Sequence, residues 1–71
     1  GLRAGVPDLC LPVPRGTYHG LYIEMKSSTG TLEPGQKLWL IALSKQGYKT
    51  AVCHGAEEAI RIIQAYMEAG L

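Results

Sequence analysis

Two short apolar runs that bracket a helical stretch constrain this 71-residue chain more than any other feature. Residues 20–26 (GLYIEMK) and 48–54 (YKTAVCH) both read as strands, and residues 36–46 between them read as a helix stopped by Gly47. Strand, helix, strand in that order predicts a right-handed crossover that lays two parallel strands side by side. Upstream, residues 8–13 (DLCLPV) read as a further strand, kept short or at an edge by Pro12 and Pro14. The turn-rich PRGTYH that follows predicts a hairpin. Thr31 is the expected N-cap of the first helix, with Pro34 tolerated in its first turn. After Gly55, residues 56–69 carry Ile60, Ile63 and Met67 at helical spacing and predict a second helix ending at Gly70. The expected order is β-β-α-β-α: an α/β fold with a small mixed sheet and flanking helices, in one domain over residues 1–71.

A single domain this small buries only about 60% of its unfolded surface, so its stability is thin. A hydrophobic content of 46% excludes a disordered tail. No apolar run approaches the roughly 20 residues that cross a bilayer, which excludes a membrane partner of that kind. The chain opens on GLRAG without an initiator Met and reads as part of something longer. Cys10 and Cys53 are too few and too distant for a disulfide framework, so two buried or half-buried thiols in a reducing, intracellular setting are expected. A net charge of +1 is not the signature of a typical nucleic-acid binder, although Arg3, Arg15, Lys26, Lys37, Lys45, Lys49 and Arg61 could still gather on one face.

Alternation along residues 21–26 sends Leu21, Ile23 and Met25 to one face and Tyr22, Glu24 and Lys26 to the other. If the hairpin turns about Gly16, Asp8 falls opposite or nearly opposite Glu24. Like charges directly across a sheet are destabilising, so something must offset them. The economical candidate is Mg²⁺ or Mn²⁺, held by Asp8, Glu24 and the backbone carbonyl of Met25. Lys26, on the face of Glu24, is then placed to orient or help deprotonate a water and to stabilise charge developing on a phosphate. Gln36 shares a helix face with Leu40 and Leu43 and is expected to look toward the acids.

Each half of this constellation has an ordinary alternative. Glu-x-Lys commonly marks the solvated face of a strand, Pro-Asp commonly starts a turn, and Gln36 at a helix start is often in solvent. His19 and His54 are set aside as solvated loop and strand-end residues. Trp39, Tyr48 and Tyr66 are more often core or interface aromatics than base-stacking platforms, and Trp39, off the Gln36 face, is the preferred interface candidate. Lys37 and Lys45 are more often solvated helix charges than dedicated phosphate contacts, yet Lys37, beside Gln36, is a candidate contact to a phosphate backbone, as are Arg15 and Tyr18 in the hairpin loop.

The stretches GVPDL and YIEMKSSTGTLEPGQKLWLIALSKQGYKTAVCHGAEEAI together resemble the VRR-Nuc family of the PD-(D/E)xK nuclease superfamily. The combination that carries the resemblance is Gly-x-Pro-Asp, Glu-x-Lys, a Ser/Thr-rich loop, a Gln opening the next helix, and a Gly before a strand, over about Arg3 to Ile63. It implies a restriction-endonuclease-like core that cleaves DNA phosphodiesters with Mg²⁺ or Mn²⁺. In that reading Asp8 and Glu24 are metal-binding carboxylates, Met25 supplies a carbonyl, Lys26 is the catalytic lysine and Gln36 is the motif Gln. Small stand-alone members, many from phages, resemble Holliday-junction resolvases and act as homodimers. The resemblance therefore implies branched or junction DNA as partner, a second copy of the chain, and a bacterial or phage-infected cytoplasm. The superfamily core begins with a helix and a strand ahead of the position of Gly5, so an N-terminally incomplete core is expected here. The rivals are a catalytically silent nucleic-acid-binding or assembly module of the same fold, and a small interaction domain with Glu-x-Lys as surface decoration.

Overall fold

A computed structural model describes residues 5–69; Arg3 and the helix stop expected at Gly70 lie outside the described residues. Five elements follow in the anticipated order: β1 (Leu9–Leu11), β2 (Leu21–Lys26), α1 (Pro34–Lys45), β3 (Lys49–His54) and α2 (Ala56–Glu68). β2 is the central strand, antiparallel to β1 and parallel to β3.

β1 has three residues instead of the expected six. Prolines at 7 and 12 have no N–H to give a ladder, so pairing stops inside both. The β1–β2 register pairs Leu9 with Ile23, Cys10 with Tyr22 and Leu11 with Leu21. One further step along that ladder sets Asp8 across from Glu24, as the hairpin argument required. At the hairpin tip Arg15 and Tyr18 exchange backbone hydrogen bonds of 3.1 and 2.9 Å around Gly16 and Thr17, one residue out of step with the ladder below.

The two faces of β2 carry different cargo. Leu21 and Ile23, with Cys53 of β3, are almost fully buried and cluster with Ala59 and Tyr66 of α2. Full burial of such a side chain is worth about 1.5–3 kcal/mol, so this face holds the domain together. The opposite face, with Tyr22, Glu24 and Lys26, lies under α1, whose Gln36 reaches Glu24. The structure is thus a mixed three-stranded sheet with helices on both faces.

One cap and one thiol depart from expectation. The N-cap of α1 is Glu33 and not Thr31, with Pro34 at the first helical position. The side-chain oxygen of Gln36 accepts the Glu33 backbone N–H at 2.8 Å, which gives that boundary the local partner a Thr31 start would lack. Cys10 is exposed because β1 is an edge strand; Cys53 is buried, both thiols are free, and burial, helped by the charge of Glu58, pushes the Cys53 thiol up. Among the described residues no helix is long and apolar enough to cross a membrane.

The hairpin loop fastens the far end of α2. Tyr66 donates its hydroxyl to the Val13 carbonyl at 2.6 Å, and Arg15 Nε donates to the Met67 carbonyl at 3.0 Å. Tyr66 is therefore a core residue. Tyr66→Phe leaves the Val13 carbonyl unpaired and is expected to cost about 1 kcal/mol, read as a melting-temperature drop of about 4–8 °C. An unchanged melting curve would show that water replaces the hydroxyl at no cost.

Candidate active site

The site starts from a glycine. Gly5 has a φ of +92°, and a Cβ on it would lie 2.6 Å from the Gly35 carbonyl carbon and 2.8 Å from the Gln36 nitrogen. Only a residue without a side chain allows the segment before β1 to cross the first turn of α1 this closely. That crossing fixes Gln36 relative to Pro7 and Asp8. The sequence reading used Gly5 as a motif marker but missed this role; the signal was the pair of glycines, Gly5 and Gly35, each beside a proposed site residue.

Asp8 is positioned by the proline before it. Asp8 Oδ2 accepts the Met25 backbone N–H at 2.8 Å, taking a donor that a continuing ladder would have satisfied with main chain. In the same register position 7 faces Met25, and Pro7 has no N–H to offer the Met25 carbonyl. The Pro-Asp pair thus ends the β1 ladder and brings a carboxylate to the main chain of Met25.

Glu24 is only 3% exposed, the sole buried charged residue among those described. Gln36 Nε2 donates to Glu24 Oε2 at 3.0 Å, and Lys26 Nζ lies 3.6 Å from the same oxygen. Because Gln36 Oε1 is occupied by the Glu33 N–H, its amide has one orientation available, with the donor toward Glu24. Glu24 Oε1 is buried and has no hydrogen-bond partner among the described residues. Burial above all, then the charge of Asp8, push the Glu24 carboxyl above its ordinary value of 4.5, and Lys26 only partly opposes them.

The structure therefore brings together Asp8, Glu24, Met25, Lys26 and Gln36. Arg15 does not join them: its guanidinium is spent on the Met67 and Pro14 carbonyls, at the other end of β2, roughly 16 Å away for a strand of this length. Lys37 is exposed and, with Gly30, Thr31, Leu32, Val52 and His54, lines an open groove. Val52 and His54 are the register partners of Glu24 and Lys26, so that groove flanks the site on the same sheet face. Trp39 is half-buried on α1.

The donor set suits a hard divalent cation. An unclaimed buried carboxylate oxygen, a second carboxylate across the strand pair and a carbonyl denied its ladder donor are all oxygen ligands. No group of three or more His, Cys, Asp or Glu side chains stands ready for an ion among the described residues. A small cation that keeps several waters fits two carboxylates better than an ion needing an all-protein cage.

A pH dependence follows. Glu24 has a folded-state value raised above its unfolded one. Its contribution to stability is fully present below the unfolded value and is lost as pH rises through the raised one. In chelator, the melting temperature is expected to fall with rising pH above about 4.5, more steeply than in Glu24→Gln, where that titration is gone. Parallel pH curves for the two proteins would remove Glu24 as the cause.

Comparison with known proteins gives the family and the fold. Residues 1–57 match the family described as the VRR-NUC domain. A solved structure described as a VRR_NUC domain protein superposes with a TM-score of 0.92 at 41% identity, covering 99% of this chain and 58% of that one. This chain thus spans less than two thirds of that protein. A search of curated proteins finds no match.

Proposed function

Because the chain belongs to the VRR-NUC domain family, whose fold is of nuclease type, we propose that it is a divalent-metal-dependent deoxyribonuclease that hydrolyses phosphodiester bonds. The observation that supports this most is Glu24: a buried carboxylate with one oxygen tied to Gln36 and Lys26 and the other unclaimed. Retaining such a group has a cost that a merely structural strand face has no reason to bear.

Asp8, Glu24 and the Met25 carbonyl would hold Mg²⁺ or Mn²⁺. When bound, that ion supplies Lewis-acid stabilisation of phosphate oxygens and lowers the pKa of a bound water. The chain's own residues do the positioning. Gln36 holds the Glu24 carboxylate through Oε2 and leaves Oε1 without a protein donor. Asp8 is fixed by the Met25 N–H. The Lys26 ammonium, held 3.6 Å from Glu24 Oε2, would supply positive charge beside the proposed metal, where a phosphate would become more negative, and could orient a water. Preorganised charge of this kind costs no rearrangement when the reaction occurs.

The substrate proposed is DNA, branched or junction DNA in particular, cut by a homodimer in which Trp39 is the interface candidate. Lys37, at the rim of the flanking groove, is the proposed backbone contact, and Arg15 keeps that role only if it leaves the α2 terminus. The compartment proposed is a bacterial or phage-infected cytoplasm. The test is cleavage of a synthetic four-way junction and of linear duplex, with Mg²⁺, Mn²⁺ or chelator, alongside sedimentation to read the oligomeric state. Metal-dependent cutting, favouring the junction, is expected. Binding without cutting, in a protein whose melting temperature ignores both ions, would instead identify a silent nucleic-acid-binding module.

A further inference from the structure

Lys26 ends β2, and the chain turns immediately after it: the Gly30 N–H donates to the Ser27 carbonyl at 3.1 Å. The turn folds back onto the lysine. A Cβ on Gly30 would lie 3.4 Å from Lys26 Cβ and 3.1 Å from Ser27 Oγ, so the turn brings Gly30 back close to the root of the Lys26 side chain. What holds Gly30 there is His54, the register partner of Lys26 on β3. Its Nε2 is 3.0 Å from the Gly30 carbonyl. A carbonyl only accepts, so Nε2 carries the proton and donates it.

The main chain of His54 is held from the other side. Glu58, in the first turn of α2, accepts the His54 backbone N–H and lies 3.8 Å from His54 Nδ1. The Nε2–H is therefore engaged by the Gly30 carbonyl, and a carboxylate flanks the other ring nitrogen. A free phosphate ligand would need a ring N–H that is unoccupied and no carboxylate beside it, and His54 offers neither. The groove it lines is explained by Lys37 without it.

We infer that His54 is a positioning residue for Lys26: anchored through its main chain by Glu58, it clamps the Gly30 carbonyl, and the clamped turn confines the root of the Lys26 side chain so that its ammonium stays beside Glu24. This rests on the nuclease reading for its functional half, and on geometry alone for its structural half. The sequence reading set His54 aside as a solvated strand-end histidine. The structure gives it a role because Gly55 ends β3, and Glu58, three residues into α2, reaches back over it.

The experiment separates the two halves. His54→Ala, His54→Leu and His54→Gln are compared for steady-state junction cleavage and for the NMR order parameter of the Lys26 Cε methylene in metal-free protein. Leu keeps volume without a donor; Gln restores an N–H at a similar reach. Loss of the clamp is expected to lower kcat by about ten- to a hundredfold with KM unchanged, since misplacement of about 1 Å can cost that much. The Lys26 order parameter falls in His54→Ala and His54→Leu, and His54→Gln restores both quantities. The inference is overturned if Lys26 stays equally ordered in the variants without a donor, or if the loss falls on KM, which would make His54 a substrate contact. If the unmodified protein cuts nothing, the nuclease reading fails on its own, and the order parameter still decides whether His54 positions Lys26.

Discussion

Lys26→Ala is expected to abolish metal-dependent cleavage, by about 10³-fold or more, while the chain still folds in Mn²⁺. Removing one preorganised charge or donor aimed at developing negative charge typically costs about 10²–10³ in rate, and loss of general acid–base help costs a similar factor. Lys26 offers both functions from a single ammonium 3.6 Å from Glu24. Its side chain is 15% exposed, so neighbouring water is poorly placed to take over. Without it, Glu24 keeps only the Gln36 hydrogen bond, and a lone buried carboxylate is destabilising. The melting temperature in chelator should therefore drop, and Mn²⁺ should recover much of it. Lys26→Met, which keeps most of the largely buried stem, controls for lost packing. Cleavage surviving in either variant removes Lys26 from the mechanism.

Glu24→Gln is expected to move stability and activity in opposite directions. Cleavage should fall by about 10³-fold or more, since a neutral amide is a far weaker ligand for a hard cation and the proposed metal loses one of two carboxylates. Stability at pH 8 in chelator should rise, because the variant no longer ionises a group in a site that burial and Asp8 both make hostile to charge. Unmodified protein should gain stability from Mg²⁺ or Mn²⁺, by about 2.7 kcal/mol when the ion is at a hundred times its Kd, and Glu24→Gln should gain far less. Calorimetry at pH 8 with and without ion reads the two stability effects, and the junction assay reads cleavage. A variant that is both less stable in chelator and equally responsive to the ion would mean that Glu24 is a structural acid.

Much of this site was legible because two periodicities are strict. Alternation along β2 is enough to put Glu24 beside Lys26, and antiparallel pairing around Gly16 is enough to put Asp8 across from Glu24. Gln36 followed from a shared helix face with Leu40, which is indeed the buried residue of α1. The burial of Glu24 was not legible in the same way. It depends on α1 lying over the polar face of β2, and α1 leaves Leu38 at 68% and Ile41 at 52% exposure, so its apolar residues do not mark a single inward stripe. That β1 is short and at an edge was legible from its prolines, but its bounds were drawn too wide, because a strand is read from apolar alternation, which continues through Pro12, while pairing is decided by main-chain donors, which do not. Arg15 read as a free loop cation because nothing local reveals that the end of α2, more than fifty residues later, comes to it. His54 escaped for a similar reason: the turn after Lys26 has no periodicity, so its meeting with β3 is visible only in three dimensions.

The contact of Gly5 with Gly35 has a further consequence for how this domain is to be engineered. Two stretches thirty residues apart in the chain touch through bare backbone, with no flexible group between them to absorb an error. The distance from Asp8 to Gln36 is thereby inherited from the path of the polypeptide and hardly from rotamer choice. Grafting the acidic strand pair onto another scaffold without that glycine crossing would transplant the chemistry while losing the ruler that spaces it.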